Sequence, residues 1–169
     1  MKNIVLKVVI LLVLFAFFAY KVYFSFDFVK QIYKSSGIIC LALFFTSAIF
    51  NYFSHYWAKF LGKSAFLFAL IHFLNFIIVD NQLFFADIYK NLLKYNNLLG
   101  FFAFIIMLSL FYLSKKFVFL AKYALLLASL HYYFSVKIPQ FWHYFALVAA
   151  LILLINWRKN DIRKNGLFK

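Results

Sequence analysis

The chain has 169 residues, 67% of them hydrophobic and only 13% charged, and its mean hydropathy is +0.92. Soluble domains are roughly a quarter charged and about half apolar, so this composition excludes an ordinary water-soluble fold and predicts an all-α, polytopic membrane bundle surrounded by lipid. The net charge of +14 does not indicate a nucleic-acid partner, because the basic residues are scattered in short segments between apolar runs, which is a topology signal.

Six apolar runs read as membrane spans, at about residues 4–23, 37–53, 62–79, 98–113, 117–136 and 139–157. Lys2 and Lys7 flank the first run as they would a signal peptide. Its apolar core is long and aromatic, however, and lacks a small-residue cleavage site, so it reads as an uncleaved span. The connection at 80–97 carries Leu83, Phe84, Phe85, Ile88 and Tyr89 beside Asp87 and Lys90, the pattern of a short amphipathic helix on the membrane surface. The single proline, Pro139, opens the last run, where its missing N–H costs nothing.

The basic residues set the orientation. With the N-terminus inside, twelve fall in inner segments (Lys2, Lys7, Lys59, Lys63, Lys115, Lys116, Lys122, Arg158, Lys159, Arg163, Lys164 and Lys169). Six fall outside (Lys21, Lys30, Lys34, Lys90, Lys94 and Lys137). This bias predicts both termini in the cytoplasm.

Little chemistry is available to such a chain. Cys40 is the one cysteine, so a disulfide, a thiolate metal site and covalent haem attachment are all excluded. Asp27, Asp80, Asp87 and Asp161 are the only acids and lie at or outside the span ends, leaving no mid-membrane carboxylate for ion coupling. No glycine-rich nucleotide loop and no catalytic triad spacing stands out.

The histidines are the exception. His72 and His131 lie within the third and fifth runs, and an ionisable ring inside a membrane marks a candidate functional site. His72 has Ala69, Ala65 and Gly62 at i−3, i−7 and i−10, and His131 has Ala128, Ala124 and Ala121 at the same offsets. Those offsets share one helix face. His72 is seven residues before Val79 and His131 five before Val136, so at about 1.5 Å per residue their predicted depths differ by only ~3 Å. Two imidazoles at one depth, each beside a strip of little bulk, suit a b-type haem iron with two axial ligands. Asn75 and Ser135 are candidate hydrogen-bond partners for them. Helix–helix hydrogen bonding is the alternative role for each histidine. His143, near the outer start of the sixth run with Ala146 and Ala150 at i+3 and i+7, is a further candidate: replacement ligand, propionate contact or, with Trp142, interfacial aromatic. His55 sits in a short inner connection beside Tyr56 and Trp57, where solvation at the interface is its default role.

The segment from Lys59 to His72, with Leu61-Gly62, Ala65, Ala69 and His72, resembles the third-span motif of the MsrQ (YedZ) family of ferric-reductase-like membrane proteins. Leu98–Ser114 and Leu125–Tyr133 resemble its fourth and fifth spans, and Ser36-Gly37 the start of its second. The resemblance implies a haem-b protein that passes electrons from a quinol or flavin-linked donor to MsrP, a periplasmic molybdopterin enzyme that reduces methionine sulfoxide. It implies His72 and His131 as haem ligands, and FMN as a second cofactor. Where the family carries another histidine thirteen residues before the fifth-span ligand, this chain has Val118, and where it has an arginine near the third span, this chain has Lys59. His55 is the candidate substitute for the missing histidine. The expected function is therefore an electron-transfer subunit, not the site of substrate reduction. The alternatives are a small cofactor-free transporter or assembly factor, and a haem-b subunit serving a different reductase.

Overall fold

In a computed structural model the chain is described over residues 2–112 and 118–166, with side chains for 4–112 and 119–156. Seven α-helices follow one another: α1 Lys2–Tyr23, α2 Phe28–Phe50, α3 His55–Asn75, α4 Phe85–Leu92, α5 Tyr95–Tyr112, α6 Ala121–Phe134 and α7 Phe141–Gly166. A π-helical turn, Phe76–Asp80, continues α3, and a 3-10 turn, Val118–Leu120, leads into α6. Among the described residues, four stretches are long and apolar enough to cross a membrane: Ile4–Tyr23, Phe28–Phe50, His55–Asp80 and Tyr95–Tyr112. Phe141–Asn156 is apolar but shorter. With 14 residues, α6 is roughly 21 Å long, less than the ~30 Å of a hydrocarbon core. Among the described residues, four of the six expected spans thus reach membrane length.

Several boundaries differ from the apolar runs, for identifiable reasons. The second helix begins at Phe28, not at residue 37, because Asp27 caps it: the Asp27 carboxylate accepts the Lys30 N–H at 3.0 Å. An N-cap of this kind starts a helix wherever it satisfies an orphan N–H, polar residues notwithstanding. Lys30 and Lys34 are consequently helical, and Gly37 lies mid-helix. His55 is the first residue of α3, after Ser54. The helix expected in the 80–97 connection is α4. The end of the fourth expected span and the start of the fifth, with Lys115 and Lys116 between them, fall outside the described residues.

The chain divides into two compact units, Met1–Ile88 and Tyr89–Lys169. In the first, α2 and α3 form the tightest pair. Ser47 Oγ donates to the Ala58 carbonyl at 2.7 Å, and Ile39, Cys40, Leu43 and Phe44 of α2 are buried, as are Leu61, Ala65 and Phe68 of α3. Helix α1 is anchored by aromatic contacts. Phe15 stacks on Phe68 with centroids 5.0 Å apart, and Phe18 meets its edge at 5.8 Å. Further along α1, Lys7 Nζ lies 3.4 Å from the Tyr56 ring centroid and 4.9 Å from that of Phe60, a cation–π contact suited to a partly desolvated ammonium. The remaining apolar face of α1, including Val5, Leu12 and Val13, is exposed, as a lipid-facing helix requires.

The first unit ends in a reversal built without glycine. Asn81 is buried and donates through Nδ2 to the Phe76 carbonyl at 2.7 Å, while the Leu83 N–H reaches back to Ile77 at 3.2 Å. Gln82 and Leu83 take positive φ values of 46° and 62°, uncommon for side chains of this size. In the second unit α6 packs on α5 and on α7. Met107, Leu125, Ala146 and Ala150 are buried there.

Phe68, fully buried, is the pivot on which α1 rests. Phe68→Ala is expected to destabilise the protein by about 3 kcal/mol through the cavity it leaves, read as a lowered thermal midpoint in detergent; an unchanged midpoint would mean that α1 is held elsewhere.

Candidate functional site

Each unit presents one histidine from the second helix of a hairpin to the backbone of the first. In the first unit His72 Nδ1 lies 3.2 Å from the Tyr33 carbonyl and 3.2 Å from Ser36 Oγ, both on α2. The Ser36 hydroxyl donates to the Ile32 carbonyl at 2.6 Å, so its oxygen is left to accept. Both neighbours of Nδ1 are therefore acceptors, and Nδ1 carries the proton. In the second unit His131 Nδ1 lies 2.7 Å from the Asn96 carbonyl of α5, which can only accept. The same tautomer follows, and in both rings the lone pair is on Nε2. A hydrogen bond from one imidazole nitrogen to a carbonyl is the usual means of orienting a histidine whose other nitrogen binds a metal.

The surroundings of the two rings differ. The Tyr33 ring stands edge-on to His72, with centroids 4.9 Å apart and planes at 88°. Asn75 donates to the Val29 carbonyl at 3.5 Å, one turn of α2 before the carbonyl that holds His72. Asn75 thus ties α3 to α2 beside the imidazole. Ser135 gives its hydroxyl to the Tyr132 carbonyl at 2.7 Å, within its own turn.

The strips of small residues are only partly open. Ala65 and Ala124 are wholly buried, and Gly62 packs against Ser47, whose hydroxyl lies 3.2 Å from where a Cβ would be. Ala69 and Ala128, the strip residues nearest the two histidines, are half-buried, as are Ala121 and both imidazoles. The strips therefore serve helix packing for much of their length.

His143 has the opposite character. It is buried and stacks flat on Tyr132, with centroids 4.3 Å apart and planes at 14°. Its Nδ1 accepts the Gln140 N–H at 3.1 Å. The Gln140 carbonyl, 3.3 Å from Nδ1, takes its hydrogen from the His143 backbone N–H at 2.9 Å. With Nδ1 accepting, the proton of this ring is on Nε2, which makes that nitrogen a donor. His55 is exposed, with Nδ1 3.5 Å from Asn51 Oδ1. Among the described residues no three His, Cys, Asp or Glu side chains converge as a bare metal ion would need. A haem, whose macrocycle supplies four of the iron ligands, asks the protein for only one or two, and the donor set of neutral imidazoles fits it. Val118, where the resembling family has a histidine, has no described side chain.

The roles of Tyr33, Ser36 and Asn96 are not visible as a local pattern, since two of the three act at least in part through backbone carbonyls. Their only sequence signal is a polar residue in an apolar helix. No protein-family model, no characterised protein and no solved structure matches this chain. The fold defines an all-α chain with four helices of membrane length, and its distinguishing feature is a pair of half-buried imidazoles, each held by a backbone carbonyl.

The Tyr33 hydroxyl is buried and makes no hydrogen bond of good geometry, although the Asp80 carboxylate lies near enough to accept from it weakly and to act on it electrostatically. Leaving a buried hydroxyl unpaired costs about 1–3 kcal/mol. Tyr33→Phe is accordingly expected to leave thermal stability unchanged or to raise it. A lowered midpoint would instead reveal a bond from the hydroxyl, with Asp80 as the first residue to substitute next.

Proposed function

We propose that the chain is a b-haem electron-transfer subunit of a bacterial inner membrane, with His72 and His131 as the axial ligands. The single observation that carries this reading is the shared contact: each imidazole sets Nδ1 against a carbonyl of the preceding helix, which orients the ring and, since a carbonyl only accepts, assigns the proton to Nδ1 and the lone pair to Nε2. The bound haem would supply one-electron chemistry at its iron. The chain's own part is to hold the two rings, to make them better donors through the Nδ1–H bonds, and to surround them with apolar residues that exclude water. His143, protonated on Nε2, suits a propionate contact better than the iron. His55, exposed beside Tyr56, keeps an interfacial role.

The finer parts of the reading rest on the sequence. Six crossings with both termini inside require α6 and α7 to complete the bundle, and the bias of basic residues supports that arrangement. A quinol or flavin-linked donor and a periplasmic MsrP-like molybdopterin reductase as acceptor come from the resemblance of Leu61-Gly62 to His72 and its neighbours to the MsrQ family. FMN binding comes from the same resemblance alone.

A reduced-minus-oxidised optical spectrum of the purified protein tests the proposal. A b-type α-band is expected in the wild type and is expected to disappear in both His72→Ala and His131→Ala. A wild-type protein that takes up no haem under haem-replete expression would overturn it. A band that survives His131→Ala but not His143→Ala would move the ligand to His143.

A further inference from the structure

Two of the chain's four glycines touch the two histidines. A Cβ added at Gly37 would lie 3.3 Å from His72 Cε1 and 3.4 Å from its Nδ1. One added at Gly100 would lie 3.0 Å from Cγ, Nδ1 and Cε1 of His131 alike. Equal distances to three consecutive ring atoms mean that the His131 ring faces the glycine with its flat side. Real Cβ atoms seldom approach so closely, so each imidazole occupies space that any other residue would fill.

The position of each glycine explains the contact. Tyr33 holds His72 and Gly37 is four residues later; Asn96 holds His131 and Gly100 is four residues later. In an α-helix the carbonyl of residue i accepts the N–H of residue i+4, so that carbonyl points along the helix at residue i+4. A second donor must approach its remaining lone pair past the side chain at i+4. Glycine there leaves the way open. The same device occurs once in each unit, in α2 with α3 and in α5 with α6.

We propose that Gly37 and Gly100 are positioning residues for the imidazoles. Each lets the histidine of the following helix lie on the helix backbone and bond the carbonyl one turn earlier, which sets the ring plane and keeps the proton on Nδ1. The fold thereby distributes two tautomers: Nδ1–H at His72 and His131, Nε2–H at His143. The placement stands on these distances alone; its consequence for iron rests on the haem reading above. The two slots are unequal. The His72 proton is shared between two acceptors at 3.2 Å, with the glycine at 3.3 Å or more, whereas the His131 bond is single and 2.7 Å long over a tighter glycine. Alanine is therefore tolerated better at 37 than at 100.

Gly62 provides the control. It is also helical and also closely packed, its missing Cβ lying 3.2 Å from Ser47 Oγ, and no histidine is among the atoms it would meet. Gly37→Ala, Gly100→Ala and Gly62→Ala are compared by two measurements on the full chain in nanodiscs. The first is 15N NMR of histidine-labelled protein prepared without haem, which reads tautomers directly. The wild type should show Nδ1–H for His72 and His131 and Nε2–H for His143. Gly100→Ala should lose the single His131 tautomer, Gly37→Ala should perturb His72 less, and Gly62→Ala should change neither. The second is the electron paramagnetic resonance g-anisotropy of the haem-loaded ferric protein, which follows the ligand-ring planes and should shift in Gly37→Ala and Gly100→Ala alone. Wild-type His72 and His131 protonated on Nε2, or alanine effects at 37 and 100 no larger than at 62, would overturn the proposal. If Gly100→Ala does not fold, the wild-type tautomers and Gly37→Ala still decide it. If the tautomers are as expected but no haem binds, the positioning role stands and the haem reading falls.

Discussion

A hydrogen bond from a side-chain imidazole to a carbonyl already used by its own helix is the contact on which the rest of this chain turns. Helical backbone groups inside a membrane are satisfied within their own segment, so a polar side chain arriving from the next helix finds no spare donor. It does find spare acceptor capacity, because a carbonyl oxygen has two lone pairs and the helix uses one. Tyr33 and Asn96 offer that second lone pair, and His72 and His131 take it. The protonated nitrogen is thereby decided by the backbone, and with it the chemical identity of the other nitrogen. An imidazole in an apolar setting without such a bond would be free to exchange tautomers and planes, and would make a poorly defined ligand.

The pairing of helices follows from the same requirement. Within the first unit, Ser47 to Ala58 and Asn75 to Val29 tie α2 and α3 on either side of the His72 contact, so the bond to Tyr33 is one of a series along a single seam. Serine, alanine and glycine along that seam let the backbones approach, which is how helices associate where burial from water supplies little force. Aromatic residues take up the looser contacts: Phe15 and Phe18 around Phe68, and Tyr56 and Phe60 around Lys7.

Much of this was legible in the sequence, and the failures have physical causes. Hydropathy located the long helices, and the amphipathic pattern of 80–97 the short α4, but hydropathy placed the start of α2 near residue 37 because Lys30 and Lys34 interrupt the apolar run. An Asp27 cap extends the helix through them. The histidines stood out because ionisable rings are rare in such segments. The small residues at i−3, i−7 and i−10 suggested an open strip, yet Ala65 and Ala124 are fully covered and Gly62 serves the contact with Ser47. Helical periodicity relates residues within one helix. Gly37 with His72 and Gly100 with His131 belong to different helices, so no window short enough to show a helix face contains both. Acceptors such as the Tyr33 and Asn96 carbonyls are common to every residue type and leave no trace in composition.

Cys40 has a practical bearing on labelling experiments with this chain. It is the one thiol in the chain and is buried in α2. A polar maleimide applied to intact cells or vesicles should find it silent without any need to replace it. Single cysteines placed at chosen loops can then be scored against a blank background, so the native chain already serves as its own reporter scaffold.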